Sequence, residues 1–280
     1  MSRKILCVVL FIQFSIFNFQ FTCAQNLFDL QHTKLFADYL YQSGQYNLAA
    51  EECERWLFMQ PENDTAALLL LQSYRKEGLY QQGISKVKII FPDFEKMNTT
   101  IAKEFSILLL LNRNFAEADS FLINETSFSN VDRDYLLMNK NLMMKNWKIA
   151  EDIYLRNNNS DSRAFAPYSI VFNNYKELPH RYASLAMTMS TIVPGAGKIY
   201  SGDWKDALFS MLLIGTSGFQ AYRGFQKNGI ESAYGWIFGG FSAALYLGNI
   251  YGSYKSAKDF NHRHENELLK KTTDLFSINL

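Results

Sequence analysis

Residues 181–254 read RYASLAMTMSTIVPGAGKIYSGDWKDALFSMLLIGTSGFQAYRGFQKNGIESAYGWIFGGFSAALYLGNIYGSY and contain two runs without a charged residue, Ala207 to Tyr222 and Ser232 to Tyr254. The second run is 23 residues long. A helix of about 20 predominantly apolar residues is long enough to cross a bilayer. Small residues recur at four-residue spacing in the second run, a pattern that lets membrane helices pack closely. This stretch therefore predicts a transmembrane helical hairpin.

The segment before the hairpin, Tyr182 to Val193, is apolar but too short to cross a bilayer before Pro194 interrupts it. It predicts either a third, bent span or a short helix at the membrane surface, so the number of spans, two or three, stays open. The side of the membrane that holds residues 255–280 depends on that number. Basic residues in this tail slightly favour three spans and a cytoplasmic tail.

Upstream of the hairpin, an aromatic residue recurs at nearly constant spacing. Tyr46, Tyr80, Phe115 and Trp147 follow one another at intervals of about 34 positions, a period typical of repeated helix pairs. A small residue stands three positions after each aromatic and permits two helices to approach closely, while the aromatic begins the second helix of a pair. A Gly or Asn between the two helices is expected to be left-handed. The expected left-handed residues are Gly44, Gly78, Asn112 and Asn146.

These helix pairs resemble the tetratricopeptide (TPR) repeat, and the first pair, with Ala37, Gly44, Tyr46 and Pro61, matches its pattern best. The third and fourth pairs lack the Gly and the final Pro. The resemblance implies an all-α helical solenoid that binds a protein partner on the face lined by its first helices. By phase, this partner face consists of Lys34, Asp38, Tyr41, Gln72, Arg75, Lys76, Lys103, Asp132, Tyr135 and Asn139. Their charges are of both signs, so the chemistry of the partner stays open.

The turn before the hairpin carries a second resemblance. Pro194, Gly195, Gly197, Tyr200 and Gly202 match the Pro-Gly-x-Gly-x-x-Tyr-x-Gly opening of TM2-like membrane modules. The end of the second run is similar to a module of bacterial envelope proteins that carry TPR repeats. The motif residues there are Gly248, Asn249, Tyr251 and Gly252. Some of these relatives are linked to the membrane-protein insertion factor YidD, although a YidD-type domain is absent from this sequence.

The N-terminus resembles a secretory signal peptide, because Arg3 and Lys4 precede an apolar run that ends near Thr22-Cys23-Ala24. Cleavage after Ala24 is predicted, with lipidation at Cys23 or an uncleaved anchor as alternatives. The mature chain then begins outside the cytoplasm, and Cys53 is its one cysteine. We expect Cys53 to be a small buried hydrophobe without a disulfide partner.

Several kinds of chemistry are not predicted. The formal net charge of +1 gives no electrostatic reason to expect a nucleic-acid partner. The segment that ends at Lys198 is not a nucleotide-binding phosphate loop, because Ile199 stands where Ser or Thr is needed. His262 and His264 are two residues apart and do not share a helical face. No nucleophile with a base, acid pair or metal-ligand spacing is visible, so the sequence predicts no enzyme, cofactor or metal.

The sequence therefore predicts a non-enzymatic, membrane-anchored envelope protein, in which the TPR domain recruits a protein partner as a scaffold or adaptor. It is expected in a bacterial inner membrane, with the repeats in the periplasm and the lipid bilayer as a second partner. The alternative is a factor that assists membrane-protein insertion or envelope assembly. The predicted domains are a signal peptide (1–24), TPR-like repeats (26–156), a connector with a capping helix (157–180), the membrane module (181–254) and an amphipathic charged tail (255–280). Partner identity and oligomeric state stay open.

Overall fold

The computed structural model describes residues 29–124, 127–157 and 163–279, and every regular element in these ranges is a helix. The predicted all-α class is therefore confirmed. The chain divides into two compact units, unit 1 (Met1–Ser127) and unit 2 (Phe128–Leu280). The predicted signal peptide, with its cleavage site after Ala24 and the alternative lipidation at Cys23, lies outside the described residues.

Unit 1 contains three helix pairs that follow the predicted repeat. They are α1 (Leu30–Gln42) with α2 (Tyr46–Met59), α3 (Asp64–Glu77) with α4 (Tyr80–Ile90), and α5 (Thr99–Leu111) with α6 (Phe115–Asn124). A short 3₁₀ helix, Phe94–Lys96, precedes the third pair. Each pair packs on the next, with α2 against α3 and both α3 and α4 against α5. The apolar face of each pair is thus buried by its neighbour, as in a helical repeat.

Unit 2 begins with a fourth pair and continues into a helical module. Its helices are α7 (Asn130–Met143), α8 (Trp147–Asn157), α9 (Ser169–Lys176), α10 (Ala183–Ile192), α11 (Ala196–Tyr200), α12 (Trp204–Asn228) and α13 (Ala233–Ile278). A 3₁₀ helix, Ala166–Tyr168, precedes α9, and another, Gly229–Glu231, joins α12 to α13. Helix α13 has 46 residues, so the second apolar run and the charged tail form one continuous helix.

The first helix of every pair begins at a polar residue that caps it. Asp29, Asn63, Asn98 and Ser129 each accept a hydrogen bond from the backbone N–H three residues further on. The cap satisfies one of the donors that the first turn of a helix leaves without an intrahelical partner. Four short polar side chains at one place in the repeat therefore fix where the pairs begin.

The turn inside each pair contains a left-handed residue two positions before the aromatic. The φ angle is 78° at Gly44, 80° at Gly78, 59° at Arg113 and 61° at Lys145. The prediction of Asn112 and Asn146 for the third and fourth pairs is therefore wrong. The left-handed residue lies two positions before the aromatic in every pair, whatever its type. Arg113 and Lys145 therefore adopt a positive φ, which costs an L-residue about 1 kcal/mol.

The small residues of the repeat are buried between helices, as predicted. Ala49, Ala118 and Ala150 have no exposed surface, and Gly83 is buried as well. A Cβ built on Gly83 would lie 2.9 Å from Leu108 Cδ1, so α4 and α5 approach too closely for a larger residue. Cys53, four residues after Ala49, is fully buried, which confirms its expected role as a small hydrophobe.

The predicted transmembrane hairpin is wrong. Helices α12 and α13 do form a hairpin, but no helix in the described ranges is both long and apolar enough to cross a membrane. Both runs lack charge, yet the first is only 16 residues long, and the second contains five Gly, three Ser and four Tyr, which add little hydropathy. The predicted location in a bacterial inner membrane, with the repeats in the periplasm, required a membrane-spanning hairpin. That prediction is therefore wrong as well.

Substitution of Arg113 by Gly is expected to stabilise unit 1 by about 1 kcal/mol, because glycine adopts a positive φ without the steric cost of a Cβ. Gly44→Ala should destabilise it by a similar amount, about 1 kcal/mol, although a Cβ there meets no atom within 4 Å. Urea denaturation followed by circular dichroism measures both free energies. Shifts of the same sign would contradict this account of the turn.

Candidate functional site

The partner face of unit 1 centres on an ion pair between α3 and α5. Arg75 Nε donates a hydrogen bond to Glu104 Oε1, and both side chains are 6% exposed. Burial raises the pKa of the Glu104 carboxyl, and the charge of Arg75 opposes that rise. Burial also raises the pKa of Tyr41 on α1. The charge of Arg75 lowers that pKa, and the charge of Glu104 raises it. Tyr41, Arg75 and Glu104, one residue from each first helix of unit 1, therefore form a polar cluster.

Glu104 is a member of this cluster that the sequence analysis missed. It is the one acidic residue in α5, whose other positions are apolar or uncharged except for Lys103. An acidic residue in such an apolar helix is a signal that a buried partner is needed, because an unpaired buried charge is costly.

The other residues of the partner face in unit 1 differ in exposure. Asp38 and Lys76 are exposed, whereas Gln72 and Lys103 are half-buried. Lys34 is half-buried too, and its Nζ lies 5.1 Å from the centroid of the Trp56 ring. Together with Tyr41 and Arg75, these side chains come from three successive first helices of unit 1.

In unit 2 the partner face is covered by the chain itself. Tyr135 and Asn139 on α7 are buried. Tyr168 Oη donates to Asn139 Oδ1 over 2.6 Å and lies 3.3 Å from Tyr135 Oη. Burial raises the pKa of Tyr168 and of Tyr135, so both phenols stay protonated at neutral pH. Asp132 remains half-buried beside the cap of α7, 2.7 Å from Ser129 Oγ.

The C-terminal part of α13 lies against this part of α7. Leu268, Thr272 and Phe276 are buried, and the Phe276 ring is 6.0 Å from the Tyr135 ring. Lys145, at the end of the α7–α8 turn, donates to Asn266 Oδ1 over 2.9 Å. Polar and apolar contacts together therefore hold a helix on the face that the repeat predicts as a binding surface.

The Pro-Gly turn of the predicted module packs α11 between α10 and α13. Gly195 has a φ of 89°, which reverses the chain after α10. Gly197 N–H donates to Ser190 Oγ over 2.9 Å, and a Cβ built on Gly197 would be 2.6 Å from the carbonyl carbon of Ala186. Ser190 Oγ is 2.6 Å from Ser253 Oγ on α13. The glycines of the motif therefore permit backbone contact between α11 and α10.

Tyr200 of the motif and Asn261, further along α13, hold the entry to α10. Arg181 N–H donates to Asn261 Oδ1, and Asn261 Nδ2 donates back to the Arg181 carbonyl, each over 2.8 Å. Tyr200 Oη accepts from Tyr182 N–H over 3.2 Å, and the Arg181 guanidinium lies 4.8 Å from the centroid of the Tyr200 ring. These contacts give Tyr200 a structural role.

The remaining motif residues differ in their surroundings. Pro194 is half-buried, Tyr251 is exposed, and Gly202 is left-handed with open space around it. Asn249 is buried, and Gly252 lies against Lys198, whose Cε would be 3.3 Å from a Cβ built there.

Metal binding and thiol reactivity are two further kinds of chemistry that a site could provide. In the described part of the chain, no three His, Cys, Asp or Glu side chains are grouped so that they could hold a metal ion. Burial raises the pKa of the Cys53 thiol to about 12, with smaller contributions from the charges of Asp38 and Glu52. Cys53 is therefore a protonated thiol at neutral pH, and such a thiol is a poor nucleophile.

No family model, curated protein or solved structure matches this chain.

Substitution of Gly197 by Ala is expected to destabilise unit 2 by about 3 kcal/mol, since the new methyl group would overlap the backbone of α10. Gly248→Ala is the matched control, because a Cβ there meets no atom within 4 Å. That change should stabilise α13 by up to about 1 kcal/mol. Urea denaturation of the two variants measures the difference, and equal losses would show that Gly197 is not a close-contact residue.

Proposed function

We propose that this protein is a non-enzymatic binding protein whose repeats, of the tetratricopeptide type, hold a helical segment of a protein partner. The partner face of unit 1 is the proposed binding surface. The alternative predicted from the sequence, a factor for membrane-protein insertion or envelope assembly, stays a prediction.

The observation that supports this proposal is the packing of α13 against α7. There a helix lies on the first helix of a repeat pair, beside Tyr135 and Asn139. Binding of an amphipathic helix in a groove is a common mode of peptide recognition, in which residues one helical turn apart act as anchors. Leu268, Thr272 and Phe276 are buried at four-residue spacing and correspond to such anchors.

The same positions exist in unit 1. When the pairs are aligned on the aromatic that begins each second helix, Tyr135 and Asn139 of the fourth pair correspond to Lys34 and Asp38 of the first. In the second pair, the residue that corresponds to Asn139 is Gln72. Of the six equivalents in unit 1, four are polar and two are apolar: Lys34, Asp38, Gln72 and Lys103 against Leu68 and Ile107. A partner helix would therefore present polar groups beside a smaller apolar stripe.

The buried Arg75–Glu104 ion pair lies beneath this surface and links two of its helices. Both charges are buried and bonded to each other, and the pair joins α3 to α5. Separating the two side chains would leave unpaired charges in the protein interior, which strongly destabilises a fold. The pair therefore holds α3 and α5 at one spacing. A surface with fixed spacing loses less conformational entropy when it binds, which favours recognition.

Photo-crosslinking in cells tests the proposal. A photoreactive amino acid at position 72, on α3, should capture one defined protein, and the same residue at position 82, on the exposed side of α4, should not. Equal capture at both positions would argue against a partner face on the first helices.

The captured protein then allows a quantitative test with purified components. Gln72→Arg should weaken its binding about tenfold or more, because a longer side chain would intrude on the partner helix. Gln82→Arg makes the same chemical change on α4 and should leave the dissociation constant unchanged. Titration calorimetry gives both constants, and circular dichroism checks that the variants are folded. Undiminished binding by Gln72→Arg would overturn the proposal.

A further inference from the structure

Unit 2 contains a cavity between α11, α12 and α13 with a volume of about 360 Å³. This size falls within the range of about 300–1,000 Å³ that is usual for small-molecule sites. Its walls are mostly apolar and include Phe209 and Leu213 from α12 and Phe241 and Leu245 from α13. An apolar cavity with a few polar groups is the usual form of a ligand site.

Asn249 supplies the first polar group of the cavity. It is 4% exposed, and neither its Oδ1 nor its Nδ2 has a hydrogen-bond partner among the described residues. A buried amide without partners is costly, and native structures rarely leave one without a reason. Its backbone carbonyl accepts from Ser253 Oγ over 2.9 Å, so only the side chain is left without a partner. Asn249 lines the cavity, and its amide offers a donor atom and an acceptor atom just beneath the cavity surface.

Lys198 supplies a positive charge at the same cavity. Its stem passes along α13 at Gly252, where a Cβ would come within 3.3 Å of Lys198 Cε. Its Nζ donates to Ser210 Oγ over 2.8 Å. No carboxylate of the described residues lies within ion-pair distance of Nζ. Lys198 and Ser210 both line the cavity, and the ammonium group has no anionic partner in the residues that the structure describes.

Gly248 keeps the cavity open. It lines the cavity, and a Cβ built on it would meet no atom within 4 Å. A larger side chain at this position would enter the cavity without disturbing the contact between α12 and α13. Glycine in a helix interior is unfavourable relative to alanine, so a reason for it is expected.

We propose that this cavity binds a small amphiphilic monocarboxylate with a hydroxyl group beside its carboxylate, of the class of hydroxy fatty acids. The carboxylate pairs with the Lys198 ammonium and accepts from Asn249 Nδ2. The hydroxyl group donates to Asn249 Oδ1, and the hydrocarbon chain lies between Leu213 and Phe241. Each polar atom of the ligand head then meets a complementary group, and the chain covers apolar surface.

Titration calorimetry of the full chain with octanoate, β-hydroxyoctanoate and octanol tests this inference. Both acids should bind with one-to-one stoichiometry, and the hydroxy acid should bind about fivefold more tightly, because it alone satisfies both amide atoms. Octanol should bind more weakly than either acid. Absence of saturable binding by both acids at up to about 1 mM would overturn the inference.

Three variants locate the site. Lys198→Met keeps the stem against Gly252 and removes the charge, so it should weaken octanoate binding about tenfold and leave octanol unaffected. Asn249→Leu should abolish the advantage of the hydroxy acid. Gly248→Leu fills the cavity and should abolish the binding of all three probes, which keeps the test decisive if Asn249→Leu does not fold.

Lys255→Met is the matched control for the charge change, since Lys255 is exposed on α13 and does not line the cavity. Its affinity for octanoate should equal that of the unmodified chain. If Lys198→Met and Gly248→Leu bind octanoate as tightly as this control, the acid binds elsewhere and the proposed site is wrong.

Discussion

Backbone contact at Gly197 is the constraint on which the helical module of unit 2 depends. Without a side chain there, α11 can lie directly against α10, and the N–H of Gly197 can reach Ser190 Oγ. Ser190 in turn contacts Ser253, so three helices meet at two hydroxyl groups that are fully buried. This close approach sets the position of Lys198, one residue further on, against α13. The cavity with its single ammonium group is therefore a consequence of a glycine contact.

The repeats could be predicted from the sequence because their signals are local. The spacing of Tyr46, Tyr80, Phe115 and Trp147 reflects packing within each helix pair, and the structure begins the second helix of each pair at these aromatics. The left-handed residues in the last two turns could not be predicted from residue type. Local packing fixed the geometry, and side chains that disfavour a positive φ were tolerated at a modest cost.

The module was less predictable, for two physical reasons. Absence of charge is not the same as high hydropathy: the first run is short and has charged residues at both ends, and the second is rich in Gly, Ser and Tyr, so neither provides a membrane-spanning helix. The contacts that define the sites also join residues far apart in the chain. Arg75 with Glu104, and Tyr135 with Phe276, leave no periodic signal that a single sequence reveals. The glycine motif did predict a sharp turn, and the structure places that turn at Gly195.

Helix α13 has a mechanical consequence. Asn249, at the cavity, and Phe276, against α7, belong to one uninterrupted helix and are separated along its axis by about 40 Å, at a rise of about 1.5 Å per residue. Because one continuous helix runs through both places, a tilt or axial shift of α13 at the cavity would alter the packing of Phe276 on Tyr135. The interior of the hairpin and the last repeat pair thus share one secondary-structure element.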